Sequence, residues 1–89
     1  MTLKETIEAV ETFHNAFGIA NNENPTVDLS ENDIKLRHRL MQEENEEYLE
    51  AAQNGDLVEV ADALGDMLYI LCGTILKHGM QHKIDEVFQ

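Results

Sequence analysis

The chain has no tryptophan, one cysteine (Cys72), one proline (Pro25), and only 6 Lys or Arg against 18 Asp or Glu. Each scarcity excludes something. A lone cysteine rules out an intramolecular disulfide, and its apolar setting, "MLYILCGTIL", predicts a buried, inert thiol rather than a nucleophile. A net charge of −12 repels nucleic-acid backbones and anionic membrane surfaces, so neither is an expected partner. The longest strongly apolar run is about ten residues where a bilayer span needs ~20, and the start, "MTLKETIEAV", lacks the basic-then-apolar order of a signal peptide. A soluble, cytoplasmic protein is expected. With 89 residues there is room for a single domain, 1–89. So short a chain buries a modest fraction of its surface, which favours a partner subunit. The phosphate loop GxxxxGK[ST] does not occur, and an acidic chain that binds phosphates needs cations from outside.

What is present is helical periodicity. Thr2 and Glu5 are spaced as a capping box, and Leu3, Ile7, Val10, His14 and Phe17 then recur every three or four residues, with Gly18 as the stop. The Asn-rich "IANNENPTVDL" breaks the pattern and reads as a loop, long enough to suggest a functional segment. A second helix begins after Ser30, with Asp33 three residues on, and runs to about Asn54 before Gly55. A third is capped by Asp56 with Glu59 in the reciprocal place, and runs to His78 before Gly79. Its second half is apolar nearly all round and is expected to be buried on most sides. "QHKIDEVFQ" offers Ile84, Val87 and Phe88 as a fourth helix. The expected fold class is all-α, an antiparallel bundle of about four helices completed by oligomerisation.

The stretch from Met41 to Tyr69 carries nine carboxylates and no Lys or Arg. Glu44 and Glu47 fall on the apolar line Leu40, Glu44, Glu47, Ala51. Glu59, Asp62 and Asp66 fall at i, i+3 and i+7 on the next helix. The turn at Asn54-Gly55-Asp56 folds the two helices against each other, and packed helices lie ~8–10 Å apart. Facing carboxylates then reach a common point, where like charges about 4 Å apart cost ~4 kcal/mol per pair. Such a set persists when protons or cations neutralise it, and an all-oxygen donor set selects a hard cation, Mg²⁺ or Mn²⁺ ahead of Ca²⁺. Glu44, Glu47, Asp62 and Asp66 are the candidate ligands. A solvated acidic face is the other reading, and it suits Glu43, Glu46 and Glu50. Glu59 has a competing role in the Asp56 cap.

The same residues carry a resemblance. "EENEE", read as EExxE through Glu43, Glu44 and Glu47, followed by "EVAD" through Glu59 and Asp62, resembles the all-α nucleotide pyrophosphohydrolases of the MazG and phosphoribosyl-ATP pyrophosphatase superfamily. "VETFHNAFG", "LRHRLMQEENEE" and "VADALGDMLYILCGTILKHGM" are similar to its compact, MazG-like dUTPase branch. The resemblance covers nearly the whole chain. It implies a metal-dependent hydrolase that cleaves a nucleoside triphosphate to monophosphate and pyrophosphate, of the house-cleaning or dUTP-like kind, and the partly apolar helix faces predict a homodimer or homotetramer. Glu44 and Glu47 are the implied metal ligands, and Glu43 or Glu44 would handle the attacking water. In the second motif, "DMLY" aligns Asp66 as a ligand. Its usual partner position is then Ala63, which cannot bind metal, and Asp62 is the expected substitute. A shifted register pairs Glu59 with Asp62 instead. Relatives continue beyond "IDEVFQ" with residues that hold phosphates, so that segment of the family is expected to be missing here, its contacts coming from a neighbouring subunit if they are made.

His14 and Phe17, in "FHNAFG", would form part of a base pocket, with a core-edge histidine as the plainer reading of His14. Arg37 shares a helix line with Met41 and Glu44 and would meet the substrate, unless it pairs with Asp33 one turn back. Tyr69 reads as a core residue whose hydroxyl reaches a polar neighbour, and it joins His14, Phe17 and Arg37 as a candidate substrate-binding residue. A non-catalytic helical module, using the carboxylates for a structural metal or a basic protein partner, is the competing function.

Overall fold

The computed structural model describes residues 1–89, and the chain is all helical: α1 (Leu3–Ala16), α2 (Glu31–Gln53), α3 (Leu57–Lys77) and a single turn, α4 (Ile84–Val87). The expected starts and stops are present, though the fourth helix is shorter than its apolar residues suggest. Thr2 and Glu5 form the full capping box, each side chain taking the other's backbone N–H. Ser30 accepts from the Asp33 N–H at 3.1 Å. No helix is long and apolar enough to cross a membrane.

The contacts divide the chain into two compact units, Met1–Leu29 with Cys72–Gln89, and Ser30–Leu71. In the first, Ile7 and Val10 of α1 and Cys72, Ile75 and Leu76 of α3 are buried. Cys72 is fully enclosed, and burial pushes its thiol up, so it remains protonated and inert as expected. The Asn-rich loop turns out to be a strap over the end of α3. The Leu76 carbonyl accepts from the Asn22 N–H, and the Lys77 carbonyl from Asn22 Nδ2 at 2.6 Å. The Thr26 N–H donates to the His78 carbonyl, while His78 Nδ1 donates back to the Thr26 carbonyl at 2.8 Å. Lys77 Nζ donates to the Ala20 carbonyl, and Gln81 Nε2 to that of Asn22. Helix ends leave such carbonyls without intrahelical partners, and here the loop supplies them. The long loop thus has a structural task.

The second unit is a hairpin of α2 and the first two-thirds of α3. Gly55 makes the reversal with φ +67°, the left-handed region that a side chain disfavours. Its apolar burial is thin. Ala51, Ala63 and Ile70 are enclosed, but Met41, Leu64, Leu68 and Leu71 remain a third to a half exposed. The expectation that the second half of α3 is buried on most sides therefore holds from Cys72 to Leu76, where Cys72, Gly73, Ile75 and Leu76 are buried, and fails within the hairpin at Leu68 and Leu71. A two-helix hairpin can cover one face of each helix and no more.

Candidate metal centre

The three-four spacing on α2 and the three-four spacing on α3 put carboxylates on the inner line of each helix, and the Gly55 turn sets those lines face to face. Carboxylate oxygens of Glu44, Glu47 and Asp66 lie within 4.8 Å of one another. Two small residues allow this approach. Ala51, one turn beyond Glu47, and Ala63, one turn before Asp66's neighbour Met67, are both buried and line the floor of a groove of about 360 Å³. Ala63, which by sequence looks like a lost ligand, is therefore part of that floor. Two alanines in phase with the acidic lines were the available signal for it.

Electrostatics single out Glu44. It is the half-buried member of the trio, and its Oε2 is enclosed with no hydrogen-bond partner. Burial raises its pKa most, followed by the negative charges of Glu47 and Asp66, hydrogen bonding with Glu47, and the charge of Glu43. A carboxyl raised in the folded state binds a proton that the unfolded chain releases. The resulting stability is complete below the unfolded value and is lost as pH rises through the folded one. In EDTA, the melting temperature should rise as pH is lowered from neutrality toward the ordinary carboxylate range. Glu44→Gln should flatten that slope, and an unchanged slope in thermal melts would show that the strain lies elsewhere.

The other expected residues take varied places. Asp62 and Glu59 line the same groove toward the turn but stand outside the close trio. Asp56 Oδ1 accepts from the Glu59 N–H at 3.1 Å, while the Asp56 N–H is taken by the Ala51 carbonyl. The reciprocal half of that cap is therefore not made, and the Glu59 carboxylate is not committed to it. Glu50 also lines the groove, as does Asn54, although spacing had turned Glu50 toward solvent. Glu43 is exposed and paired with Arg39 at 3.9 Å. Arg37 is half-buried on the line of Glu44 and forms no ion pair with Asp33.

His14 and Phe17 belong to the first unit. His14 is buried, and its Nδ1 donates to Asn21 Oδ1 at 2.8 Å, tying α1 to the start of the strap. Phe17 is 69% exposed, its ring centroid 4.4 Å from that of Phe13.

The family model for phosphoribosyl-ATP pyrophosphohydrolase matches residues 10–89, which include all of α2, α3 and α4 and part of α1. No curated protein matches the chain.

Proposed function

The chain belongs to the phosphoribosyl-ATP pyrophosphohydrolase family, whose members hydrolyse phosphoanhydride bonds, and from that premise we propose that it converts a nucleoside triphosphate and water to the monophosphate and pyrophosphate. The observation that carries the reading is the trio Glu44, Glu47 and Asp66, with oxygens within 4.8 Å and an enclosed, unpartnered Glu44 Oε2. Like charges so placed call for a cation, and their oxygen-only donors suit Mg²⁺, with Mn²⁺ as a substitute. Asp62 and Glu59 extend the oxygen set along the groove from α3. The bound cation would neutralise phosphate charge and lower the pKa of water in the site.

The chain's own residues do the rest. Glu44 has a pKa raised by burial and its carboxylate neighbours, the direction that suits a general base taking a proton from water. Glu43, adjacent on α2, would orient the water once released from its exposed pair with Arg39. Arg37 and Tyr69 contact the substrate from the second unit. In the first, Phe17 is exposed and His14 fixes the chain that follows it through Asn21. The family match from residue 10 to 89 supports treating 1–89 as one functional domain. Exposed Met41, Leu68 and Leu71 line an uncharged groove of about 520 Å³ together with His38, Gln42, Asn45 and Met67, and Leu64, one turn before Leu68, is exposed as well. Such a strip on a chain of charge −12 supports self-association as a homodimer or homotetramer.

The test is incubation with Mg²⁺ or Mn²⁺ and a panel of NTPs, dNTPs and phosphoribosyl-ATP, with pyrophosphate detected and the particle mass measured by light scattering. Pyrophosphate and monophosphate should appear in equal amounts, EDTA should stop their release, and the mass should exceed that of one chain. A metal-dependent rise in melting temperature with no turnover on any nucleotide would favour the non-catalytic module. A monomer by mass would remove self-association.

A further inference from the structure

Only 6 Lys or Arg face 18 carboxylates in this chain, so every cation should find an anion with ease. Four do so one helical turn away: Lys4, Lys35, Arg39 and Lys83 each lie within 4 Å of a glutamate oxygen. Lys77 donates to the Ala20 carbonyl. Arg37 is the exception. Its Nε and Nη1 are enclosed, yet neither has a hydrogen-bond partner. Asp33, one turn back, is close enough to be felt but forms no ion pair, and Tyr69 stands on the facing helix beside it.

Enclosing two guanidinium nitrogens without a partner is costly, because the group stays charged and those N–H donors lose water. Burial accordingly presses Arg37 below its usual value, and Tyr69 and Asp33 act the other way. The position of Arg37 says what is absent. It lies seven residues before Glu44 on α2, which is two turns and ~10 Å along the axis on nearly the same face. One phosphate seated at the carboxylate trio cannot span that interval, whereas a chain of phosphates can.

Resting on the proposed hydrolase reading and extending it, we propose that Arg37 holds the polyphosphate chain of the substrate at the end remote from the Glu44–Glu47–Asp66 cluster. The face of α2 that carries Arg37 and Glu44 is then read as two-ended. Carboxylates take the cation-bound phosphate, and a planar, forked cation takes the phosphate oxygens beyond it, in the geometry that guanidinium groups offer to phosphate. Arg37 is a substrate-binding residue in this scheme, and it discriminates by the number of phosphates.

The experiment is calorimetric binding of tripolyphosphate and of orthophosphate in Mg²⁺ to the full chain and to Arg37→Gln, Arg37→Lys and Lys35→Gln. Lys35 is exposed and paired with Glu31, so its replacement removes the same charge from the same helix and leaves Arg37 in place. Arg37→Gln should weaken tripolyphosphate binding roughly ten- to hundred-fold, Arg37→Lys should recover part of the loss, and Lys35→Gln should change it less than about twofold. Orthophosphate affinity should be the same in all four. Equal losses in Arg37→Gln and Lys35→Gln would reduce the effect to net charge and overturn the proposal. So would unaltered tripolyphosphate affinity in an Arg37→Gln protein whose only defect is a lower melting temperature or a smaller mass by light scattering. Turnover of nucleotides with Arg37-independent KM would overturn it while leaving the hydrolase reading intact. Arg37-dependent tripolyphosphate binding without turnover would uphold it and count against hydrolysis.

Discussion

Glu47→Ala should cut pyrophosphate release by roughly a thousandfold, since a bound cation stabilises such a reaction by several kcal/mol, and should leave the protein folded. The two halves of that expectation have different causes. Glu47 is one of three carboxylates whose oxygens lie within 4.8 Å, so its removal dismantles the proposed cation site directly. Yet Glu47 is exposed and makes no ion pair in the chain, so little packing depends on it. Its charge also raises the pKa of Glu44, which means the metal-free protein gains from losing it. Melting in EDTA should therefore show Glu47→Ala as stable as the parent or slightly more so, while Mg²⁺ raises the melting temperature of the parent alone. Glu46→Ala, one residue away and outside the groove, is the control and should keep activity within about twofold, as exposed substitutions away from a site usually do. Retained turnover in Glu47→Ala, measured as pyrophosphate per chain, would remove the trio as the catalytic centre.

Gly79→Ala should have the largest effect on stability of any single methyl added to this chain, about 3–5 kcal/mol. For a domain of this size each kcal/mol moves the melting temperature by about 4–8 °C, so a fall of roughly 15 °C or more is expected. Gly79 has φ +66° and ends α3, and a Cβ there would stand on the backbone carbonyl of Asn24. That carbonyl cannot swing aside as a flexible side chain could, because the residues around it are tied down. Asn22 is bonded to the Leu76 and Lys77 carbonyls, and Thr26 is bonded to His78. The strap would have to lift, exposing carbonyls at the end of α3. Gly55→Ala isolates the backbone cost alone, since Gly55 has nearly the same φ and nothing within 4 Å of the added carbon. It should cost only about 1 kcal/mol. Equal losses in thermal melts of the two variants would show that the strap is not held as described.

Helix ends were legible before any coordinates because they depend on neighbours in sequence. Thr2, Ser30 and Asp56 satisfy N–H groups three residues on, and Gly55 and Gly79 adopt a backbone conformation that their lack of a side chain permits. The acidic lines on α2 and α3 were legible for the same reason, as 3.6-residue periodicity is local. The strap was not. Its bonds join residues more than fifty positions apart, as in Asn22 with Lys77, and no periodic signal in an Asn-rich loop announces its partner.

By itself, then, the sequence determined the all-α class, the cap and stop positions, and the inner lines of carboxylates apart from Glu50. Only the tertiary structure decided which of them converge. Glu44, Glu47 and Asp66 form the close trio, while Asp62 and Glu59 line the groove outside it. The physical reason is that helical phase places a side chain to within a turn. The separation of two carboxylates on facing helices depends instead on how closely those helices approach, and here small residues, Ala51 and Ala63, lie at that contact.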